Sequence, residues 1–174
     1  DDAFSIEGGS GDDTLTGGAT VATTLTGNGG DDNLTGGSQG DTIDGGAGDD
    51  TIDGKGGDDT ITGGTGADTL TGGGSTANGG DTFVFAEGDG GSAVDARDEI
   101  TDLSEGDMLD VTDFGDFGLE NGDTLGTSAT DETAKEIYID RANNRIVIET
   151  TADGSTTEQI DISEVAAESS FTYD

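Results

Sequence analysis

The chain contains no cysteine, histidine, proline or tryptophan. Without cysteine there is no disulfide, so stability must come from another source, and a protein exported unfolded and then held by metal would suit that composition. Without cysteine and histidine there is no thiol nucleophile, no imidazole base and none of the preferred ligands of zinc or copper. Only 5 basic residues face 40 acidic ones in 174, a formal charge of −35. That balance excludes nucleic acid, whose binding needs basic surface to displace phosphate counter-ions, and disfavours anionic membranes and polyanionic sugars. Apolar residues make up 28% of the chain and aromatics 5%, too little for a wide core, so an elongated domain with a smaller apolar end is expected. No run of about twenty apolar residues exists to span a bilayer. A chain of this charge would ordinarily be disordered.

What the chain has instead is glycine, 34 residues of it, in a fixed period. Four nine-residue units follow one another over 36–71: Gly36-Gly-Ser-Gln-Gly-Asp41-Thr-Ile43-Asp44, Gly45-Gly-Ala-Gly-Asp-Asp50-Thr-Ile52-Asp53, Gly54-Lys-Gly-Gly-Asp-Asp59-Thr-Ile61-Thr62 and Gly63-Gly-Thr-Gly-Ala-Asp68-Thr-Leu70-Thr71. Glycine leads each unit, and Asp, Thr and an aliphatic residue hold places six, seven and eight. A flexible linker has no reason to keep Leu34, Ile43, Ile52, Ile61 and Leu70 at this spacing. Places seven to nine read as a three-residue strand with its middle side chain turned inward. The six residues before them, opened by glycines that reverse the chain without a Cβ clash, read as a turn. Two units then make one lap of a flattened coil, with same-edge partners eighteen residues apart and the eighth-place residues stacked in a thin apolar column.

Such a coil stacks its sixth-place carboxylates along two edges, roughly 5 Å apart by strand spacing, and like charges in register repel. A bridging cation relieves this. Oxygen-only ligands point to Ca²⁺ or Mg²⁺, and Ca²⁺ better tolerates the irregular, carbonyl-rich cage of a glycine turn. Alternation puts Asp13, Asp32, Asp50 and Asp68 on one edge and Asp41, Asp59 and Asp81 on the other, giving about three sites on the first and two on the second, five Ca²⁺ in all. Candidate backbone carbonyls are those of Gly8, Gly9, Gly11, Gly27, Gly29, Gly30, Gly36, Gly37, Gly45, Gly46, Gly48, Gly54, Gly56, Gly57, Gly63, Gly64 and Gly66. The fifth-place Asp12, Asp31, Asp49 and Asp58 read as carbonyl donors with solvated side chains, and Asp44 and Asp53 as outward strand residues.

These units resemble the RTX, or hemolysin-type, nonapeptide G-G-x-G-x-D-x-U-x of secreted bacterial proteins, U being large and apolar. The resemblance implies a right-handed parallel β-roll, all-β, that binds calcium. Along the chain, Phe4 and Ile6 can supply a leading strand, and 8–16 and 27–35 are regular units with Asp13 and Asp32. The unit 17–26 is ten residues long and carries no carboxylate, so its strand should survive through Leu25 while its turn binds no metal. Asp81 and Phe83 restore places six and eight after a longer loop, and Phe83 is expected to close the column as a plug.

From Glu87 the repeat stops. Two domains are therefore expected, a β-roll over 1–86 and a β-rich cap over 87–174, with strands around 98–103 and 108–114, a hairpin over 135–150 and a strand at 158–162. This half resembles the tail that follows RTX repeats in serralysin-type secreted proteases and in the repeat modules of alginate epimerases, through Asp98-Glu-Ile-Thr-Asp102-Leu103 and Gly106-Asp107-Met-Leu-Asp110. That resemblance implies a further calcium site from Asp98 with Asp102, and export by the type I secretion machinery of a Gram-negative bacterium to the extracellular medium, with a secretion signal in the ending Ser170-Phe171-Thr-Tyr-Asp174. The expected role is a monomeric export, folding and stabilising module of a longer secreted protein whose activity lies before Asp1. The competing role is calcium-dependent adhesion, surface-layer assembly or polysaccharide binding. Catalysis is not expected of this segment, because no nucleophile elbow is present and Gly54-Lys55-Gly56 lacks the Ser or Thr that a phosphate-binding loop needs after its lysine.

Overall fold

The computed structural model describes residues 4–74, 80–86, 89, 98–104 and 106–110, and the backbone of three further strands at 136–140, 145–149 and 157–162. The period becomes a coil because each D-T-U triplet is extended and each glycine run turns. One parallel sheet takes the odd-numbered strands β1 (Phe4–Glu7), β3 (Thr23–Gly29), β5 (Thr42–Ala47), β7 (Thr60–Thr65), β9 (Thr82–Val84) and β11 (Met108–Asp110). The other takes β2 (Thr14–Thr16), β4 (Asn33–Thr35), β6 (Thr51–Asp53), β8 (Thr69–Thr71) and β10 (Asp98–Ile100), also in parallel. Consecutive strands lie in opposite sheets, which is the architecture of a parallel β-roll.

Register follows the period. Leu25 lies opposite Ile43 and Ile43 opposite Ile61, while Leu34 lies opposite Ile52 and Ile52 opposite Leu70. All six are fully buried and belong to one core with Phe83, Phe85, Ile100 and Leu103. Burying each such side chain is worth ~1.5–3 kcal/mol. The flanking threonines are the polar half of the strand alternation: Thr42, Thr51 and Thr60 are exposed. The ten-residue unit is absorbed without loss of pairing, since Ile6 still meets Leu25 and Leu15 still meets Leu34.

Two expectations change. The strand–turn division of three and six residues fits β4, β6 and β8 but not the facing sheet, where β3, β5 and β7 pair again beyond their glycines, Asn28 with Gly46 and Gly46 with Gly64. A positive φ at Asn28, Gly46 and Gly64 re-aims the chain so that the third place rejoins the ladder. Nor does Phe83 close the column. Leu109 lies opposite Phe83 and Ile100 opposite Leu70, so β11 and β10 add parallel strands to both sheets. β10 also pairs in parallel with β14 (Thr157–Ile162), and β14 continues antiparallel to β13 (Arg145–Glu149) and β13 to β12 (Glu136–Asp140), the expected hairpin with Ile137 opposite Ile148. The ending 170–174 lies outside the described residues, among which no helix is long and apolar enough to cross a membrane.

Candidate metal centre

The sixth-place carboxylates form two rows, one along each edge of the coil. In the first, the amide of Asp13 donates to Asp32 Oδ1 at 2.7 Å, Asp32 to Asp50 at 2.8 Å, Asp50 to Asp68 at 2.8 Å and Asp68 to Asp98 at 3.0 Å. In the second, Thr23 donates to Asp41 at 2.7 Å, Asp41 to Asp59 at 2.7 Å, Asp59 to Asp81 at 2.9 Å and Asp81 to Asp107 at 2.9 Å. An N–H thus sits between successive carboxylates, so the rows are not bare stacks of charge. Except for Asp13 and Asp107, these aspartates are buried.

The other oxygen divides them. Oδ2 of Asp32, Asp50, Asp59 and Asp68 is buried and has no hydrogen-bond partner. Desolvating an unpaired carboxylate oxygen is costly. Burial is accordingly the leading cause that pushes Asp50 up to about 6 and Asp59 and Asp68 up to about 7, opposed by the donated amide and reinforced by neighbouring carboxylates. Asp81 is raised for the same first reason. In other turns the oxygen is taken: the second-place amide donates to it, Gly9 to Asp13 at 2.6 Å and Gly37 to Asp41 at 2.5 Å. Thr23 plays the same part in the unit without a carboxylate, its hydroxyl accepting from Gly18 at 2.9 Å and donating to the Val21 carbonyl at 3.2 Å.

The bare oxygens of Asp32, Asp50 and Asp59 each face a cradle. A methyl group on Gly27 would meet both Asp32 Oδ2 and the carbonyl oxygen of Gly45; on Gly45 it would meet Asp50 Oδ2 and the carbonyl of Gly63; on Gly54, Asp59 Oδ2 and the carbonyl of Gly72. One carboxylate oxygen and the carbonyl of the next lap therefore converge on the space that a side chain at the leading glycine would fill. Among the described residues no three acidic side chains form a metal cage by themselves; the oxygens that converge at these glycines are a carboxylate and a carbonyl, a hard set that fits Ca²⁺. Gly8 and Gly36 stand in the same relation to Asp13 and Asp41.

Asp98 extends the first row. Asp102 lies beyond the opposite end of β10, where its two oxygens accept from Gly72 at 2.9 Å and Gly73 at 2.7 Å. Asp98 opens β10 and Asp102 lies two residues past its end, and the two accept from different turns, Asp98 from Asp68 and Asp102 from Gly72 and Gly73, so the structure does not bring them together. Asp107, absent from the expected set, extends the second row, and the amide of Ser104 donates to its Oδ2 at 2.7 Å. Its signal was available, since Asp107-Met-Leu109 repeats the spacing of Asp81-Thr-Phe83. The fifth-place side chains are exposed but not idle: Asp12 accepts from the amide of Asp31, Asp31 from Asp49 and Asp49 from Ala67, each at 3.0 Å. Asp53 forms an ion pair with Lys55.

With this geometry in view, the class of the coil is a calcium-binding repeat module: residues 5–20, 26–61, 44–83 and 53–91 match the RTX calcium-binding nonapeptide repeat, in four copies. The stretches 5–20 and 26–91 therefore carry RTX repeats. Among solved structures, the chain is similar to the AlgE6R3 subunit of the mannuronan C5-epimerase of Azotobacter vinelandii, at 25% identity over 96% of this chain and 92% of that one, with a TM-score of 0.43. No curated protein matches the chain.

Proposed function

We propose that the chain is a non-catalytic module that folds when it binds calcium outside the cell and serves as the export, folding and stabilising part of a longer protein secreted by a type I system. The observation that carries the calcium half is the set of buried, unpartnered Oδ2 atoms of Asp32, Asp50, Asp59 and Asp68. Before folding those oxygens are hydrated; in the coil no described residue replaces the water. Calcium supplies the missing positive charge at those oxygens. The chain's own part is to hold each carboxylate by its Oδ1 and, at Asp32, Asp50 and Asp59, to present the next lap's glycine carbonyl beside its Oδ2. Each site held about tenfold above its dissociation constant adds ~1.4 kcal/mol to folding. Without the ion, glycine entropy and buried charge oppose a narrow column, and the chain stays unfolded where calcium is scarce.

Export is supported by the RTX repeats and by the absence of cysteine, which makes folding independent of disulfide chemistry. Circular dichroism and gel filtration in chelator and in calcium test the folding half: a disordered, expanded chain that compacts with the ion is expected, and a compact chain in chelator sinks it. Co-expression with a type I exporter tests the rest. The chain should accumulate in the medium, and retention in the cell removes the export role while leaving calcium folding intact.

A further inference from the structure

The turns of the coil come in two backbone forms, and the form tracks the state of the sixth-place oxygen. In 27–32, 45–50, 54–59 and 63–68, places two and four both have positive φ: Asn28 77° with Gly30 107°, Gly46 109° with Gly48 130°, Lys55 77° with Gly57 129°, and Gly64 103° with Gly66 146°. These are the turns whose Asp32, Asp50, Asp59 and Asp68 keep a bare Oδ2. In 8–13, 17–23 and 36–41 no residue has positive φ, and the second-place amide donates to the sixth-place side chain. The two states exclude one another, since a second-place residue in the left-handed region turns its N–H away from the oxygen.

Place four decides which state is reachable. At place two the angles reach down to 77°, close to the left-handed basin that L residues can enter, and Asn28 and Lys55 occupy it. At place four they run from 107° to 146°, outside that basin and open only to glycine. The 36–41 turn has Gln39 there, exposed and donating to the adjacent Ser38 carbonyl at 2.8 Å, and it is closed. The 17–23 turn, one residue longer, has Thr20 and Val21 in that stretch and no glycine, and is also closed. Gly11 shows that glycine permits the open form without imposing it, because the 8–13 turn stays closed.

We infer that a side chain at place four bars a turn from holding calcium, and that Gln39 silences the 36–41 turn by locking the Asp41 carboxylate onto the Gly37 amide. This rests on the calcium reading above and narrows it: the ions belong to the turns of Asp32, Asp50, Asp59 and Asp68, and Asp41 serves as a backbone clamp on its own turn. A side chain at place four of an open turn is blocked twice, by its φ and by the preceding lap, since a Cβ on Gly57 would lie 2.5 Å from the Gln39 carbonyl carbon and 2.6 Å from the Gly40 nitrogen.

The test counts ions per chain by native mass spectrometry and equilibrium dialysis at saturating calcium, with circular dichroism as the check on folding. Gln39→Gly, at an exposed position, should gain one ion per chain over the parent. Gly57→Gln should lose one. An unchanged count in Q39G overturns the inference even if G57Q does not fold, and leaves calcium binding by the other turns standing. A parent chain that binds no calcium overturns both.

Discussion

The regular laps over 36–71 and the stretched laps that follow differ in length but not in contact. Between Ile43 and Ile61 the spacing is eighteen residues, whereas Phe83 stands twenty-two beyond Ile61, Leu109 twenty-six beyond Phe83 and Ile100 thirty beyond Leu70. Yet each stretched lap makes the same two contacts as a regular one, an aliphatic or aromatic side chain on the column and an Asp Oδ1 accepting from the preceding lap's sixth-place amide. What repeats in this molecule is the triplet of Asp, any residue and an apolar residue. The turn between triplets can be of any length that closes, because loop-closure entropy grows only slowly with length.

If the two regions are energetically one coil, they should fail together. The largest effect is removal of the ion: chelation should abolish the β signal over both regions in one transition, and a second, chelator-resistant transition would separate them. Next come the column residues. Ile52→Ala in a regular lap and Ile100→Ala in a stretched one should each cost ~2–5 kcal/mol in calcium-saturated unfolding, both side chains being fully buried; a much smaller cost at Ile100 would show that the stretched laps are loosely attached.

Acidity should act on the regular laps. In the folded, metal-free coil Asp50 stands at about 6 and Asp59 and Asp68 at about 7, above the ordinary carboxylate value of the unfolded chain. A raised folded value means that their contribution is fully present below the unfolded pKa and is lost as pH rises through 6–7. Without calcium, acidification from pH ~8 to ~5 should therefore increase order by circular dichroism. With calcium, protons compete for the same oxygens and the calcium midpoint should rise over that window. A pH-independent midpoint would contradict the burial of these groups. The smallest effect is expected at Asp44, exposed on β5: Asp44→Ala should shift stability by less than ~0.5 kcal/mol, whereas Asp50→Ala should visibly raise the calcium midpoint. Equal shifts would mean that the carboxylate rows are misassigned.

Much of this was legible in the period. The alternation of units places Asp13, Asp32, Asp50 and Asp68 in one row and Asp41, Asp59 and Asp81 in the other, and the structure has both rows. The column residues Leu34, Ile43, Ile52, Ile61 and Leu70 were evident for the same reason, that an apolar side chain every nine residues has nowhere else to go. What escaped depended on reading the triplet apart from its turn. Asp107 heads a triplet that continues the second row, hidden by the long segment before it, and Asp98, expected as a partner of Asp102, instead continues the first row. The division of turns into closed and open was hidden for a different reason: it lies in backbone angles at places two and four, and a motif written as glycine-rich gives Gln39 no more weight than any other variable position.

The fifth-place ladder has a consequence of its own. Along the first edge the sixth-place side chains reach toward the preceding lap, and those of Asp12, Asp31 and Asp49 reach toward the following one. Neighbouring rungs are thereby pinned against sliding in either direction, as two opposed ratchet teeth would pin them. On the second edge Ala22, Gly40 and Gly80 hold the fifth place in three of its turns and have no side chain able to take up the forward grip. A tension applied along the stack should open this second seam while the first still holds.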